Sequence, residues 1–149
     1  MATSTLVQFL EPGSDGDISN RSQVETFLAS AAIAKGDWVN FDTGKTGADR
    51  CLYVKVEDTS GGAVALGVPV IGVALEAAAA AGAQVRVVVA GYVKEANVAT
   101  GTAAGVALAL DTTTSGRAVA ADAANVNLAG ISLAVAASNT APCLVLKKF

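Results

Sequence analysis

Alternation of apolar and polar positions is the main local signal along most of the chain. In residues 37–42 Val39 and Phe41 would share one face of an extended segment, and Trp38 and Asn40 the other. A period of two is typical of a half-buried β-strand. Apolar runs with the same character predict further strands at residues 51–57, 70–75, 85–93, 106–110, 117–121, 128–133 and 143–147. The chain is therefore expected to be mainly β.

Residues 70–93 form the most apolar stretch, with two valine-rich runs joined by an alanine tract that ends before Gly82. Alanine is the best helix former, so the tract could begin a helix. An isolated helix shorter than about 12 residues is marginal, however, because its nucleation is costly. We expect a strand, a connector with at most one helical turn, and a second strand.

A weak internal repeat links the two halves of the chain. The segment GDWVNFDT at residues 36–43 is echoed by GVALALDT at residues 105–112, and IGVAL at 71–75 is echoed by AGISL at 129–133. Gly72 and Gly130 coincide in this comparison. Two similar antiparallel units suit a small β-barrel or β-sandwich. In an Ala-, Val- and Gly-rich chain, chance similarity is the alternative.

The first thirty residues differ from the rest. They are polar, carry the turn-rich segment EPGSDGDISN, and show no clear apolar period. Two interpretations stay open, namely an edge strand followed by a long loop, and an extended arm that lies on a neighbouring subunit. We therefore predict an N-terminal arm or loop at residues 1–30 and a single β domain at residues 31–149, with two related β units as a further possibility.

Composition favours an assembled protein. Only 15% of the 149 residues are charged, against about 25% in an ordinary soluble domain. A monomer of this composition would expose a large apolar surface, so we expect copies of the chain or a partner to cover part of it. The net charge of −3 and the lack of a basic cluster disfavour nucleic acid as a partner. The longest uncharged apolar run is also too short and too interrupted for a membrane span.

The residues that most chemistry requires are scarce. The chain has no histidine, which excludes His-based acid–base catalysis, and its two cysteines cannot complete a structural zinc site. The Asp42-Thr43-Gly44 segment resembles an aspartic protease motif, but the second Asp-Thr, at Asp111, is not followed by glycine. We predict no enzymatic activity, no cofactor and no metal. For Cys51 and Cys143 a disulfide is possible, and two buried free thiols are the favoured interpretation.

A family resemblance rests on two groups of residues. Residues 72–74 read Gly-Val-Ala, residues 78–82 are alanines ending in glycine, and residues 85–93 carry Val-Arg-Val followed by Ala-Gly-Tyr-Val. Residues 34–39 read Ala-Lys-Gly-Asp-Trp-Val. These segments resemble the small head decoration proteins of tailed bacteriophages, also called capsid cement proteins. The likeness covers roughly residues 31–135.

The resemblance implies a β-rich structural protein that binds the outer surface of an icosahedral head. Such a protein would be made in the host cytoplasm, act in the virion as a homotrimer, and bridge neighbouring major capsid subunits. The alternatives are a tail-tube or other phage structural subunit, and a β-sandwich module that binds a ligand or receptor.

Two sets of contact residues are predicted on this basis. The apolar residues of the N-terminal arm are expected to contact the capsid: Leu6, Val7, Phe9 and Leu10. Trp38 and Tyr53, as outward aromatics of edge strands, are expected to make trimer contacts, because large aromatic side chains often anchor interfaces. Ordinary packing is the alternative role for both.

Overall fold

The computed structural model describes residues 22–56, 70–122 and 128–146. Within these ranges the chain is mainly β, as the sequence predicts, with one short 3-10 helix at Gly47–Cys51. The strands are β1 (Gln23–Ala29), β2 (Trp38–Phe41), β3 (Tyr53–Val56), β4 (Val70–Ala74), β5 (Gln84–Asn97), β6 (Ala107–Leu110), β7 (Ala118–Ala120), β8 (Leu128–Ser132) and β9 (Thr140–Val145).

The first five strands close into a barrel, which we call the first unit. Its strand order is β1-β3-β2-β4-β5, and β5 pairs with β1 to complete the circle. The β1–β3 pair is parallel and the others are antiparallel. Closure leaves the barrel without free edges. The small β-barrel predicted from the sequence is confirmed.

β1 corrects the predicted boundary of the N-terminal segment. Gln23–Ala29 is an integral barrel strand, held between β3 and β5, although the sequence prediction assigned residues 1–30 to an arm or loop. Its inward side chains, Phe27 and Ala29, are buried. The apolar run at residues 27–29 is therefore part of a strand, but it is too short to show an alternating pattern in the sequence. Residues 1–21 lie outside the described part of the chain.

The remaining strands form a second unit with the order β5-β9-β8-β6-β7. Val98, directly after β5, makes a parallel bridge with Ala118 of β7. This bridge brings the last strand of the unit back to the end of β5 and closes the unit. The first unit closes in the same way, through the parallel pair of Ala29 with Val54. Two five-stranded units therefore share one strand.

The shared strand β5 has 14 residues and changes partners near its middle. Its first half pairs with β1 and β4, and its second half pairs with β9. Gly91 lies at the change with φ +99°, a conformation that favours glycine, and a Cβ there would be 2.8 Å from Cα of Ser22. β5 continues to Asn97, four residues beyond the end of the strand predicted at residues 85–93.

The two units are equivalent in detail. Val39 pairs with Gly72 in the first unit, and Leu108 pairs with Gly130 in the second. A register shift follows directly after Val39 and again directly after Leu108. The sequence repeat therefore coincides with a structural repeat. The two units share their strand order and also the position of a β-bulge.

The alanine tract between β4 and β5 forms no helix. Ala78 exchanges two backbone hydrogen bonds with Ile33, at 2.9 Å each, and Gly82 closes the turn with φ +82°. An extended connector uses the backbone groups of the tract to tie two loops of the barrel together. These tertiary bonds outweigh the helix propensity of alanine.

Candidate interaction surfaces

Trp38 is fully buried, so the prediction that it faces outward from an edge strand is wrong. β2 lies between β3 and β4, and the Trp38 side chain belongs to the same buried cluster as the interior of the second unit. Its Nε1–H donates a hydrogen bond of 3.0 Å to the Asn97 carbonyl oxygen. The ring joins the two units, and because it is buried it is not available for a surface contact between subunits.

Tyr53 is partly buried at the start of β3, which lies between β1 and β2 and is likewise not an edge strand. The Lys45 ammonium group lies 4.3 Å from the centre of its ring, within the range of a cation–π interaction. This arrangement fixes the ring against the loop that follows β2. The trimer contact assigned to Tyr53 stays a prediction.

The capsid contacts predicted from the N-terminal arm lie outside the described residues. This applies to all four of them: Leu6, Val7, Phe9 and Leu10. Their role stays a prediction.

The largest exposed apolar side chains of the described residues lie elsewhere. They are Leu52 at 50% exposure, Leu128 at 36%, Leu133 at 46% and Val135 at 63%. The alternation of residues 51–57 predicts that Leu52 shares the inward face of the strand with Val54, but the chain before Tyr53 is a turn that leaves the Leu52 side chain in solvent. The sequence predicts no role for Leu133 and Val135. The internal repeat shows that the exposure of Leu133 is unusual, because its equivalent Leu75 is only 8% exposed.

The two Asp-Thr segments hold turns at equivalent places in the two units. Oδ1 of Asp42 accepts the Gly44 N–H at 3.0 Å, and Oδ1 of Asp111 accepts the Thr113 N–H at 2.8 Å. A hydrogen bond from Ser30 lowers the pKa of Asp42. Both carboxylates thus bind local backbone groups, which accounts for the Asp-Thr repeat without catalysis.

Asp111 is more strongly tied than Asp42. It is buried, and its Oδ2 accepts the Arg117 Nε–H at 2.7 Å and forms an ion pair with that guanidinium. Burial raises the pKa of Asp111, but the hydrogen bonds from Thr113 and Arg117 outweigh it and the pKa is lowered. A carboxylate held ionised in this way is suited to fixing the β6–β7 turn.

Asp37 lies where the two units meet. Its Oδ2 accepts the Ala34 N–H at 2.9 Å, its Oδ1 accepts the Asn97 Nδ2–H at 3.4 Å, and a Cβ on Gly116 would be 2.9 Å from its Cγ. Burial raises the pKa of Asp37 and outweighs these two hydrogen bonds. Asp37 therefore belongs to the junction between the units.

Both cysteines are free, and they differ in environment. Cys143 is fully buried in the second unit, and burial raises the pKa of its thiol to about 12. Cys51 is exposed at the end of the 3-10 helix, so the prediction of two buried thiols is correct for Cys143 and wrong for Cys51.

Residues 22–56, 70–122 and 128–146 bring together no group of three or more Cys, Asp or Glu side chains that could hold a metal ion. Within the same ranges, no helix has the length and apolar character needed to cross a membrane.

Comparison with solved structures gives a relationship at the level of fold. No protein-family model matches the sequence, and no curated protein matches it. Among solved structures, the chain is similar to the N base of the head fiber gp8.5 of bacteriophage phi29, with a TM-score of 0.57 and 14% sequence identity. The similarity covers 86% of this chain and 98% of that chain. The two chains therefore share a fold over most of their lengths.

Proposed function

We propose that this chain is a structural protein of a bacteriophage virion and a component of its head. The observation that carries the proposal is the fold shared with the head fiber base of phage phi29 over nearly the whole of both chains. The sequence resemblance to head decoration proteins supports the same class from different evidence, since it rests on short motifs rather than on the backbone.

More finely, we propose a decoration or cement protein that binds the outer surface of the icosahedral head as a homotrimer. It would bridge neighbouring major capsid subunits and have no enzymatic activity or cofactor. The low share of charged residues and the four exposed large apolar side chains among the described residues support a protein whose surface is covered in its working state.

Binding of this kind stabilises the shell by mass action, because a ligand that binds only the assembled lattice favours assembly. A trimer that contacts several capsid subunits at once multiplies weak contacts into a high avidity. The closed barrel suits this role, since it offers no free strand edge along which copies could aggregate.

The proposed capsid contact is the N-terminal arm. It is tested by deleting residues 1–10 and measuring co-sedimentation of the purified protein with expanded heads that lack it. We expect binding to be abolished while circular dichroism and the thermal transition stay as in the full chain. A finer variant replaces Leu6, Val7, Phe9 and Leu10 by Ser, and its matched control replaces Thr3 and Thr5 by Ser. Full binding by the truncated protein would overturn the arm contact.

A second candidate is the base of a fibre that projects from the head. It is favoured by the name of the structural neighbour, whose N base this chain matches over 98% of its length. Imaging separates the two candidates, since a cement protein lies flat over capsid subunit boundaries and a fibre base carries a projecting stalk.

A further inference from the structure

The outer face of the first unit is covered by the second unit. Trp38, Val73 and Val88 lie side by side across β2, β4 and β5, and all three are fully buried. They share one buried cluster with the interior residues of the second unit, and Leu75 belongs to it as well. The junction between the units is thus built on an apolar row of the first.

The equivalent row of the second unit is not covered to the same extent. Ala107, Ile131 and Leu144 lie side by side across β6, β8 and β9, in the register of Trp38, Val73 and Val88, and all three are partly exposed.

The same difference extends along β8 and the loop after it. Leu133 is 46% exposed where its equivalent Leu75 is 8% exposed, and Val135 reaches 63%. We call this surface the β8 face; it consists of Leu128, Ile131, Leu133, Val135 and Leu144.

The internal junction shows which kind of surface fits such a row. The Trp38 backbone N–H donates to the Gly116 carbonyl oxygen at 3.0 Å, so the chain two residues before β7 lies against the start of β2. The pairings of Phe41 with Val54 and of Leu110 with Ala118 make β3 the equivalent of β7.

Counted back from those pairs, the first-unit equivalent of Gly116 is Leu52, which is 50% exposed. The first unit therefore carries an exposed leucine at the place where the second unit makes its internal contact.

We propose that the β8 face of one copy binds the Leu52 end of the first unit of a second copy. This head-to-tail contact repeats the junction between the two units of a single chain. It accounts for all four exposed large apolar side chains of the described residues, with Leu52 on one surface and Leu128, Leu133 and Val135 on the other. A heterologous contact of this kind builds a ring when its rotation closes, and the proposed homotrimer requires a ring of three.

The proposal rests on the self-assembly part of the proposed function and not on capsid binding. It is tested with two single variants, Leu52→Asp and Leu133→Asp, of which each removes one side of the contact. Sedimentation equilibrium of the wild-type chain is expected to give an oligomer. Each variant alone is expected to self-associate at least about tenfold more weakly and to approach the 14.7 kDa monomer.

An equimolar mixture gives the sharpest result. Leu52→Asp keeps an intact β8 face and Leu133→Asp keeps an intact Leu52 end, so the mixture is expected to form a dimer of the two variants. The double variant is expected to stay monomeric and to pair with neither. Lys94→Gln is the matched control, because it makes the same change in net charge at an exposed position of β5, two strands from β8.

Three results would overturn the contact: a wild-type chain that is monomeric at every concentration, a Leu133→Asp variant with the wild-type mass, or a mixture without restored association. Leu52→Ser and Leu133→Ser repeat the measurement without a buried charge, and near-ultraviolet circular dichroism checks the fold. Head binding is measured separately. If Leu133→Asp kept the wild-type mass but lost head binding, the β8 face would be a capsid contact. The proposed function would then stand, and the contact between copies would be ruled out.

Discussion

The Trp38 ring lies directly over Gly130, with its Cη2 atom 3.0 Å from the point where a Cβ on that glycine would stand. The same Cβ would be 2.5 Å from the Leu144 carbonyl oxygen. The only tryptophan of the chain therefore reaches from the first unit to a position of the second unit that has no side chain. This contact holds the two units together as one body.

Substitution of the two equivalent glycines is expected to destabilise the protein to different degrees. A Cβ at Gly72 would be 1.9 Å from the Val88 carbonyl oxygen, a collision with backbone, whereas at Gly130 the closest backbone oxygen is 2.5 Å away. We expect Gly72→Ala to lower the free energy of unfolding by about 3 kcal/mol or more and Gly130→Ala by about 1–3 kcal/mol.

Urea denaturation measures both values. Gly44→Ala is the control, because its closest neighbour is a carboxylate oxygen at 3.2 Å in a turn. A loss at Gly44 as large as at Gly72 would contradict the packing argument.

The fluorescence of Trp38 is expected to report burial. Its emission maximum should be shifted to short wavelength in the folded protein, and acrylamide should quench it weakly until the chain unfolds, since the side chain is fully buried. Trp38→Phe should lower the free energy of unfolding by about 1 kcal/mol through loss of the hydrogen bond to Asn97, with further loss from reduced packing. Strong quenching of the folded protein would contradict the buried position.

The contribution of Asp111 to stability is expected to depend on pH. Its pKa in the folded state lies below the usual value of 3.8, so the ionised form is favoured by folding. The stabilisation is therefore fully present above about pH 4 and is lost as pH falls through the lowered folded pKa. At neutral pH, Asp111→Asn should lower the free energy of unfolding by about 1–3 kcal/mol, and the difference from wild type should shrink in acid.

Denaturant titrations at several pH values test this dependence. Asp49→Asn is the control, because it removes the same charge from an exposed side chain of the 3-10 helix and should change the stability at neutral pH little. A difference between wild type and Asp111→Asn that is constant from neutral pH to below the lowered pKa would contradict the assignment.

The two thiols are expected to react at very different rates. A thiol reagent should modify about one cysteine in the folded chain, because Cys51 is exposed, and two after unfolding, because Cys143 is buried with a pKa of about 12. Cys51→Ser should abolish the fast reaction and Cys143→Ser should leave it unchanged. A fast reaction in the Cys51→Ser variant would contradict the burial of Cys143.

Of the strands in the described residues, the sequence predicted all but β1. β2 and β6 follow the expected pattern, and so does the coincidence of Gly72 with Gly130. β1 was missed because its apolar run is only three residues long, and because Glu25, on the same face as Phe27, interrupts the alternation of a strand that forms through long-range pairing. Local patterns cannot report such pairing.

The orientation of Trp38 and Leu52 was predicted wrongly for a related reason. Alternation states which side chains share a face, and it does not state which face is covered. Both faces of β2 are buried, one in the first unit and one against the second, so Trp38 is enclosed although it lies opposite Val39. The exposed surface followed only from comparing the two units.

We propose that this protein acts on the outside of a phage head, and electron cryomicroscopy of purified virions that contain it is the direct test. We expect density matching two five-stranded units that share one strand, located on the outer head surface across the boundaries between major capsid subunits. Density in the tail tube, at a receptor-binding tip, or nowhere on the particle would contradict it.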